Sequence, residues 1–482
     1  MTSAAWHIEK AAPARPRRRH TIVVSDVHLS QAHPDDADAL WMRYRRRAYH
    51  PDADFESLVD RLLVDLRGDA IELVFNGDLF DFDAPWVKDG TSSFDEFPLD
   101  NAGCAAHVRR IMEDHPGWFH ATARVLAAGH RVLFLSGNHD LELYWPGVRR
   151  AIRDHLASLC GQPAAGERVR FRTWFHVTDD GIYLEHGSQY DMLNGVPDPM
   201  RPLVREGTSI HPVCGKLAFK RTGSRMGYFN PYYEETFYLG LVGYLRHFAE
   251  FYARSPRHIV RTWFTGGVRT AIEVWRHRAG TYGPLDDASR AAAQKETGAS
   301  DAQIDATHAL HVPSAEEWMV PILRELWLDR VGLVALGALL LTLAAALGGA
   351  LAALVTAVVF VAAFTAYEVL MPKPDIRTYD SAPPSVRRLL DIHDARAMCM
   401  GHTHRPFGVW GDDGRFSGNS GSWGPAFKDQ LCTQPVLDGR PLLWLTSDGR
   451  ELSGGLYWWR DGELVASEGA RRSEPRERVR TA

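Results

Sequence analysis

The sequence predicts an α/β fold whose sheet is parallel at least at its start, and three observations predict it. Apolar, β-branched runs alternate with helical patterns between residues 21 and 186. Most of those runs end in Asp, Asn or His, and the carboxyl ends of strands are where α/β folds usually build a site. After a long interruption, which includes a stretch without one charged side chain, strand character returns at ARAMCM (395–400) and GHTH follows at once.

TIVVSD (21–26) reads as a buried strand ending in turn chemistry. A helical pattern over about 54–66 leads to IELVFNGD (71–78), a second strand that ends at a carboxylate. A helix over about 104–128 leads to RVLFLSGNHD (131–140), a third strand. Another helix precedes two strands at roughly 168–177 and 181–186, the second running into EHG. From 188 to 330 the pattern is helical, rich in aromatics and arginine, with no clear strand. Short β runs return in the C-terminal part, including PLLWLTSD (441–448) and GGLYWWRDGELV (454–465). The expected organisation is therefore a basic tail (1–19), a first core part (20–187), a helical insert (188–330), an apolar segment (331–370), a second core part (371–466) and a charged tail (467–482).

The bulk numbers exclude several classes. The 482 residues suffice for two or three domains, or for one large domain with insertions. A net charge of −5 lets neither sign dominate, so charge suggests no nucleic-acid partner. Cys104, Cys160, Cys214, Cys399 and Cys432 are scattered, odd in number and without a CxxC pair, which fits a reducing cytoplasm. The first twenty residues contain no apolar h-region, so no secretory signal is expected there.

Residues 331–367 carry no charged side chain. As one helix the run would span about 55 Å, well beyond a ~30 Å hydrocarbon core. Two helices of about 18 residues each, turning near Gly348 and Gly349, fit better. Arg324 and Arg330 precede the run and Lys373 and Arg377 follow it, so both flanks are expected on the cytoplasmic side. In the insert, Ile259, Trp263, Ile272 and Trp275 fall near helical spacing beside Arg257, Arg261, Arg269, Arg276 and Arg278. Phe237, Leu241, Tyr244, Phe248 and Phe251 form a second stripe. Such stripes either pack on the core or face a membrane interface.

The strand-end residues are Asp26 and His28 in SDVH, Asp78 in NGD, Asn138, His139 and Asp140 in GNHD, His186 in EHG, and His402 and His404 in GHTH. Any one alone is an ordinary turn or cap residue. Five such motifs in order, nearly all at expected strand ends, point to a metal site. Carboxylate, imidazole and amide oxygen suit divalent manganese first, then iron or zinc. Two cations about 3.5–4 Å apart need a bridging carboxylate, and Asp78 is the natural candidate. Asn419 and Ser420 in GNSGSWG suit a turn, Asp81 a structural role, and Asp191 is assigned none.

The ordered set resembles the calcineurin-like metallophosphoesterase family over roughly 20–190 and 395–425. The resemblance implies a four-layer α/β/β/α sandwich with two metals at the strand ends. It implies that Asp26, His28 and His404 hold one divalent metal ion, that Asn138, His186 and His402 hold the other, and that Asp78 bridges them. His139 would sit by the scissile phosphate as the catalytic group, with Asp140 orienting its ring. The reaction implied is hydrolysis of a phosphomonoester, phosphodiester or pyrophosphate by in-line attack of a hydroxide that the two cations supply. SDVHLS, GDLFDF and GHTHRP are similar to the UDP-2,3-diacylglucosamine pyrophosphatases, but GNHD, the chain length and the apolar segment depart from them. That substrate is therefore not assigned. A phosphorylated small molecule or a lipid is the expected substrate, and membrane lipid the expected surroundings. The alternatives are an anchored phosphatase of nucleotides or phosphoproteins, and a non-catalytic membrane scaffold.

Overall fold

The computed structural model describes residues 17–35, 40–94, 100–204, 207–233, 241–255, 258–277, 284–317, 319–371 and 386–471. Lys373, Arg377, Arg257, Arg278 and Phe237, and most of both expected tails, lie outside the described residues. β1 (Arg19–Val24) opens the fold, and α1 (Asp52–Asp65) leads to β2 (Ala70–Asn76). A small ribbon, β3 (Trp86–Lys88) with β4 (Thr91–Ser93), precedes α2 (Asn101–Asp114) and α3 (Pro116–Ala127). β5 (Arg131–Leu135), α4 (Pro146–Cys160), β6 (Val169–Arg172), β7 (Phe175–Val177) and β8 (Ile182–Glu185) complete the first part. The insert holds α5 (Cys214–Arg221), α6 (Leu241–His247), α7 (Ile259–His277), α8 (Asp287–Thr297), α9 (Asp301–His308) and α10 (Val320–Glu325). α11 (Leu328–Leu370) and α12 (Arg388–Ile392) precede β9 (Ala397–Met400), β10 (Phe407–Trp410), β11 (Phe416–Asn419), β12 (Arg440–Ser447), β13 (Leu452–Arg460) and β14 (Glu463–Ala466).

The strands form a mixed seven-stranded sheet, in the order β14-β13-β12-β1-β2-β5-β6, and a mixed five-stranded sheet, β10-β11-β9-β8-β7. The expected parallel start is present, because β1, β2, β5 and β6 all pair in parallel. β1 also pairs antiparallel with β12, Arg19 opposite Ser447, so the two halves of the chain share one sheet. In the smaller sheet β8, β9 and β11 are parallel.

Side chains alternate along each central strand, and both faces are buried. Ile22 and Val24, Leu73 and Phe75, and Val132 and Phe134 face a core shared with α1 to α4, where Phe55 stacks on Trp118 at 3.7 Å. Val23, Val74, Leu133 and Leu135 face the other way and pack with Ile182, Leu184, Ala397, Cys399 and Phe416 of the smaller sheet. Burial on both faces is why these strands read as near-continuous apolar runs. A third core, with Phe175, Tyr183 and Met398, lies against residues of α8, α9 and α12.

Two expected elements divide. The helix expected over 104–128 is α2 and α3, because Pro116 starts a new helix and His115 before it leaves helical geometry (φ −123°, ψ 52°). The strand expected over 168–177 is β6 in one sheet and β7 in the other. Phe171 belongs to the helix-covered core and Trp174 and Phe175 to the third core, so the chain changes sheet between them.

α11 is the one described helix long and apolar enough to cross a membrane. Gly349 inside it has φ 71° and ψ −166°, which is not helical. Arg330 Nε lies 2.7 Å from Glu368 Oε1, Tyr367 donates its hydroxyl hydrogen to Asp329, and a Cβ on Gly337 would fall 2.4 Å from the Phe360 ring.

Candidate metal centre

The parallel strands present the candidate residues from their carboxyl ends: Asp26 after β1, Asp78 after β2, Asn138 and His139 after β5, His186 after β8, His402 and His404 after β9. Five of them, Asp26, His28, Asp78, His402 and His404, have positive φ between 50° and 70°. A non-glycine residue in that region is uncommon, and such strain concentrates where side chains are aimed for a purpose. The turns are locked together by the backbone, since the Asp78 carbonyl accepts from Val27 N and His28 N at 2.9 and 3.0 Å. Gly77 is required here: a Cβ at its φ of 85° would lie 2.4 Å from the His186 ring.

Among the described residues four groups of three donors, His28 with Asp81 and His139 among them, have ligand atoms within 4.8 Å of one another, and two of the four consist of expected ligands alone. The first is Asp26, His28 and His404, with His28 Nε2 3.2 Å from His404 Nε2 and His404 Nε2 3.3 Å from Asp26 Oδ1. The second is Asp78, His186 and His402, with His186 Nε2 3.1 Å from both Asp78 Oδ2 and Asn138 Oδ1. His186 Nδ1 lies 3.0 Å from the Asn76 carbonyl, which fixes its proton on Nδ1 and aims Nε2 at the group. The groups adjoin, because His402 N donates to both Asp26 oxygens at 3.1 and 3.0 Å. All seven expected ligands are therefore brought together.

The pair expected to be catalytic, His139 and Asp140, departs from expectation. Asp140 does not orient His139. Its Oδ1 accepts from Gly137 N at 2.6 Å and its Oδ2 from Leu79 N and Phe80 N at 2.9 and 3.3 Å. That carboxyl braces the two turns instead, and burial, then Asp78, pushes its pKa up to about 7. The groups beside the His139 ring are Asp83 and Asp81, 2.9 and 3.7 Å from Nδ1. Asp81, read as structural from sequence, accepts from Asp83 N and Ala84 N and from Tyr232 at 2.7 Å. Asp83 lies 3.3 Å from Lys216 Nζ, which also donates to Glu142 at 2.7 and 2.9 Å. Tyr232 lies 4.9 Å from His28, and Phe219 5.5 Å from His139, ring centre to ring centre. The insert thus supplies Lys216, Phe219 and Tyr232 to the rim of the site.

Asp191, which the sequence left without a role, has its Oδ2 3.0 Å from His402 Nε2 and accepts from Asn194 Nδ2 at 2.7 Å. Asn194 Oδ1 in turn accepts from Asn138 Nδ2 at 3.3 Å, which turns Asn138 Oδ1 toward His186. The only hint in the sequence is that Asp191 follows His186 by one short turn. Asn419 braces the GHTH loop through Thr403 at 3.1 Å, and Ser422, Trp423 and Gly424 all donate to the Asp26 carbonyl, as a turn role requires.

Electrostatics follow from this packing. Burial alone would raise Asp26 and Asp78, but His186 with His404, and His186 with His139, outweigh it and hold both carboxyls below the ordinary range. Burial alone would lower His139, but Asp78, Asp81 and Asp83 hold it well above the usual imidazole value. His28 falls to about 3, from burial and then the neighbouring His139. His186 is the converse: burial would lower it, yet Asp78 and Asp26 raise it to about 9. A raised histidine stabilises the metal-free fold fully below about pH 6.5 and loses that contribution as pH climbs through about 9. A cation taking His186 Nε2 must displace that proton. Calorimetric titration of the stripped protein with manganese at pH 7.5, in buffers of different ionisation heat, is therefore expected to show release of roughly one proton or more. No release would mean that His186 is not a ligand.

The donor set fits divalent cations. It mixes carboxylate, imidazole and amide oxygen without thiolate, and among the described residues the buried His28 Nδ1 has no hydrogen-bond partner. A further group, His50, Asp52 and His115, is already satisfied internally: His115 uses one ring nitrogen on Asp52 and the other on the Ser30 carbonyl, each at 2.9 Å. Comparison of the chain with protein-family models and with curated proteins returns no match.

Proposed function

We propose that this protein is a membrane-anchored, dinuclear-metal phosphoesterase of the calcineurin-like kind, acting on a phosphomonoester, phosphodiester or pyrophosphate that is lipid-linked. The observation that carries the reading is the meeting of Asp26, His28, Asp78, Asn138, His186, His402 and His404 at the carboxyl ends of strands from both sheets, with His139 beside them. Asp26, His28 and His404 would hold one cation and Asn138, His186 and His402 the other, with Asp78 as the carboxylate shared by both. Bound divalent ions, manganese first and iron or zinc next, supply an activated water and neutralise phosphoryl charge. His139, kept protonated by Asp81 and Asp83, donates from Nε2 to the leaving oxygen. Asp191 and Asn194 orient His402 and Asn138.

The fold is read here as a four-layer α/β/β/α sandwich, supported by the core that both sheets share and by the helices outside each. α11 is read as two crossings that turn at Gly349, supported by the contact of Arg330 with Glu368. A physical constraint points the same way. Ligands from before and after α11 share one pocket, and only an even number of crossings leaves both on one side of a bilayer. Arg324 and Arg330 favour the cytoplasmic side.

The test is to strip the purified chain of metal, restore manganese, and follow p-nitrophenyl phosphate and bis-p-nitrophenyl phosphate, then lipid-pyrophosphate and nucleotide panels. Turnover that depends on manganese is expected, with the lipid panel preferred. Preference for nucleotides would favour an anchored phosphatase of soluble substrates, and no turnover on any panel would favour a scaffold.

A further inference from the structure

α7 carries two stripes on its outward side. At 3.6 residues per turn Arg261, Thr265, Arg269 and Arg276 follow one another along one stripe. Val260, Phe264 and Trp275 follow along its neighbour, with Ile272 between Arg261 and Thr265, and these four apolar side chains are exposed, Val260 at 65% and Trp275 at 57%. The sequence stripe therefore splits: Ile259 and Trp263 pack inward on the Trp41 cluster, while Ile272 and Trp275 face out. The inner side of α7 is nested tightly. A Cβ on Gly266 would lie 2.4 Å from the Arg221 carbonyl, and one on Gly267 would meet Leu326 and Leu328 at 3.7 Å. The helix is thus seated between the end of α5 and the base of the apolar α11.

The arginine stripe borders a cavity of about 420 Å³ that is also lined by Arg221, Arg225 and His258 and floored by Trp41 and Phe94. Among the described residues no carboxylate lines it. Arg221 is paired with Glu273 at 2.6 Å, and Arg225 lies over the Phe94 ring and donates to the Phe94 carbonyl. Those two arginines are thus held in place. A cavity with four guanidinium groups, bordered by a helix that also carries an exposed apolar stripe and meets the first residue of the apolar α11, has the charge of a phosphate receptor and the setting of a bilayer interface.

We propose that this cavity seats the phosphate of an anionic phospholipid headgroup, with Arg261 and Arg269 as its contacts and the Val260, Phe264 and Trp275 stripe set in the adjoining acyl region. The proposal rests on the membrane reading of α11 and is independent of the metal chemistry. It is tested on the full chain in mild detergent, by native mass spectrometry of lipid retention with phosphatidylglycerol, phosphatidylcholine and competing inorganic phosphate. Phosphatidylglycerol is expected to be retained over phosphatidylcholine by about tenfold, and R261Q/R269Q to lose that preference with an unchanged circular dichroism spectrum. If the double variant fails to fold, R261Q and R269Q singly are each expected to lose about threefold. Unchanged preference in the folded variants overturns the proposal. Occupation by inorganic phosphate with no phosphatidylglycerol preference overturns the lipid source. Alkaline carbonate extraction of the full chain from membranes reports the spanning reading separately. Release from the membrane with the lipid preference intact would remove the crossings and keep the headgroup site.

Discussion

Asp78→Asn is expected to cut turnover by at least about a thousandfold while the protein still folds. The carboxylate is buried: Oδ2 lies 3.1 Å from His186 Nε2, and Oδ1 accepts from His139 N at 2.7 Å. Asparagine keeps the shape, and its amide oxygen can still accept from His139 N, so the turn survives. What disappears is the one negative charge that faces His186, His139 and His28 together. The variant therefore has a second signature. His186 and His139 owe their raised values partly to Asp78, so both titrate lower in Asp78→Asn, and histidine NMR resonances follow this directly. Wild-type turnover in a folded Asp78→Asn protein would sink the site.

His139→Gln is expected to discriminate by leaving group. With p-nitrophenyl phosphate, whose phenolate departs without help, the loss is about tenfold. With an alkyl phosphate, which needs a proton at the leaving oxygen, it is about 10²–10⁴-fold. The ring has the equipment for this role, since Asp83 and Asp81 flank Nδ1 and, with Asp78, keep the imidazole protonated at neutral pH. A rate plotted against leaving-group pKa should steepen in the variant. Equal losses on both substrates would mean that His139 only binds charge.

Much of the arrangement is legible in the sequence because it is local. A strand whose two faces are buried leaves an apolar run, and the polar residues at its end must face a site or solvent; Val24 followed by Asp26 and Phe75 followed by Asp78 are cases. What is not legible comes from distant parts of the chain meeting. Asp83 gains its meaning from Lys216 and His139, Asp81 from Tyr232, and Asp191 from His402, and none of these pairs shares a sequence window. Asp140 shows the opposite failure: the family resemblance implied that it orients His139, but its carboxylate is consumed by three backbone amides. The division at His115 was signalled by Pro116, while the change of sheet at Thr173 and Trp174 depends on two separate cores.

The position of β1 has a consequence for synthesis. It lies between β2 and β12, so one of its two edges stays open until Arg440 has emerged from the ribosome. About 400 residues separate the partners, and translation at roughly 5–20 residues per second leaves that edge unpaired for on the order of half a minute. During that time the nascent chain presents a hydrogen-bond-ready strand edge, apolar from Ile22 to Val24, to its neighbours.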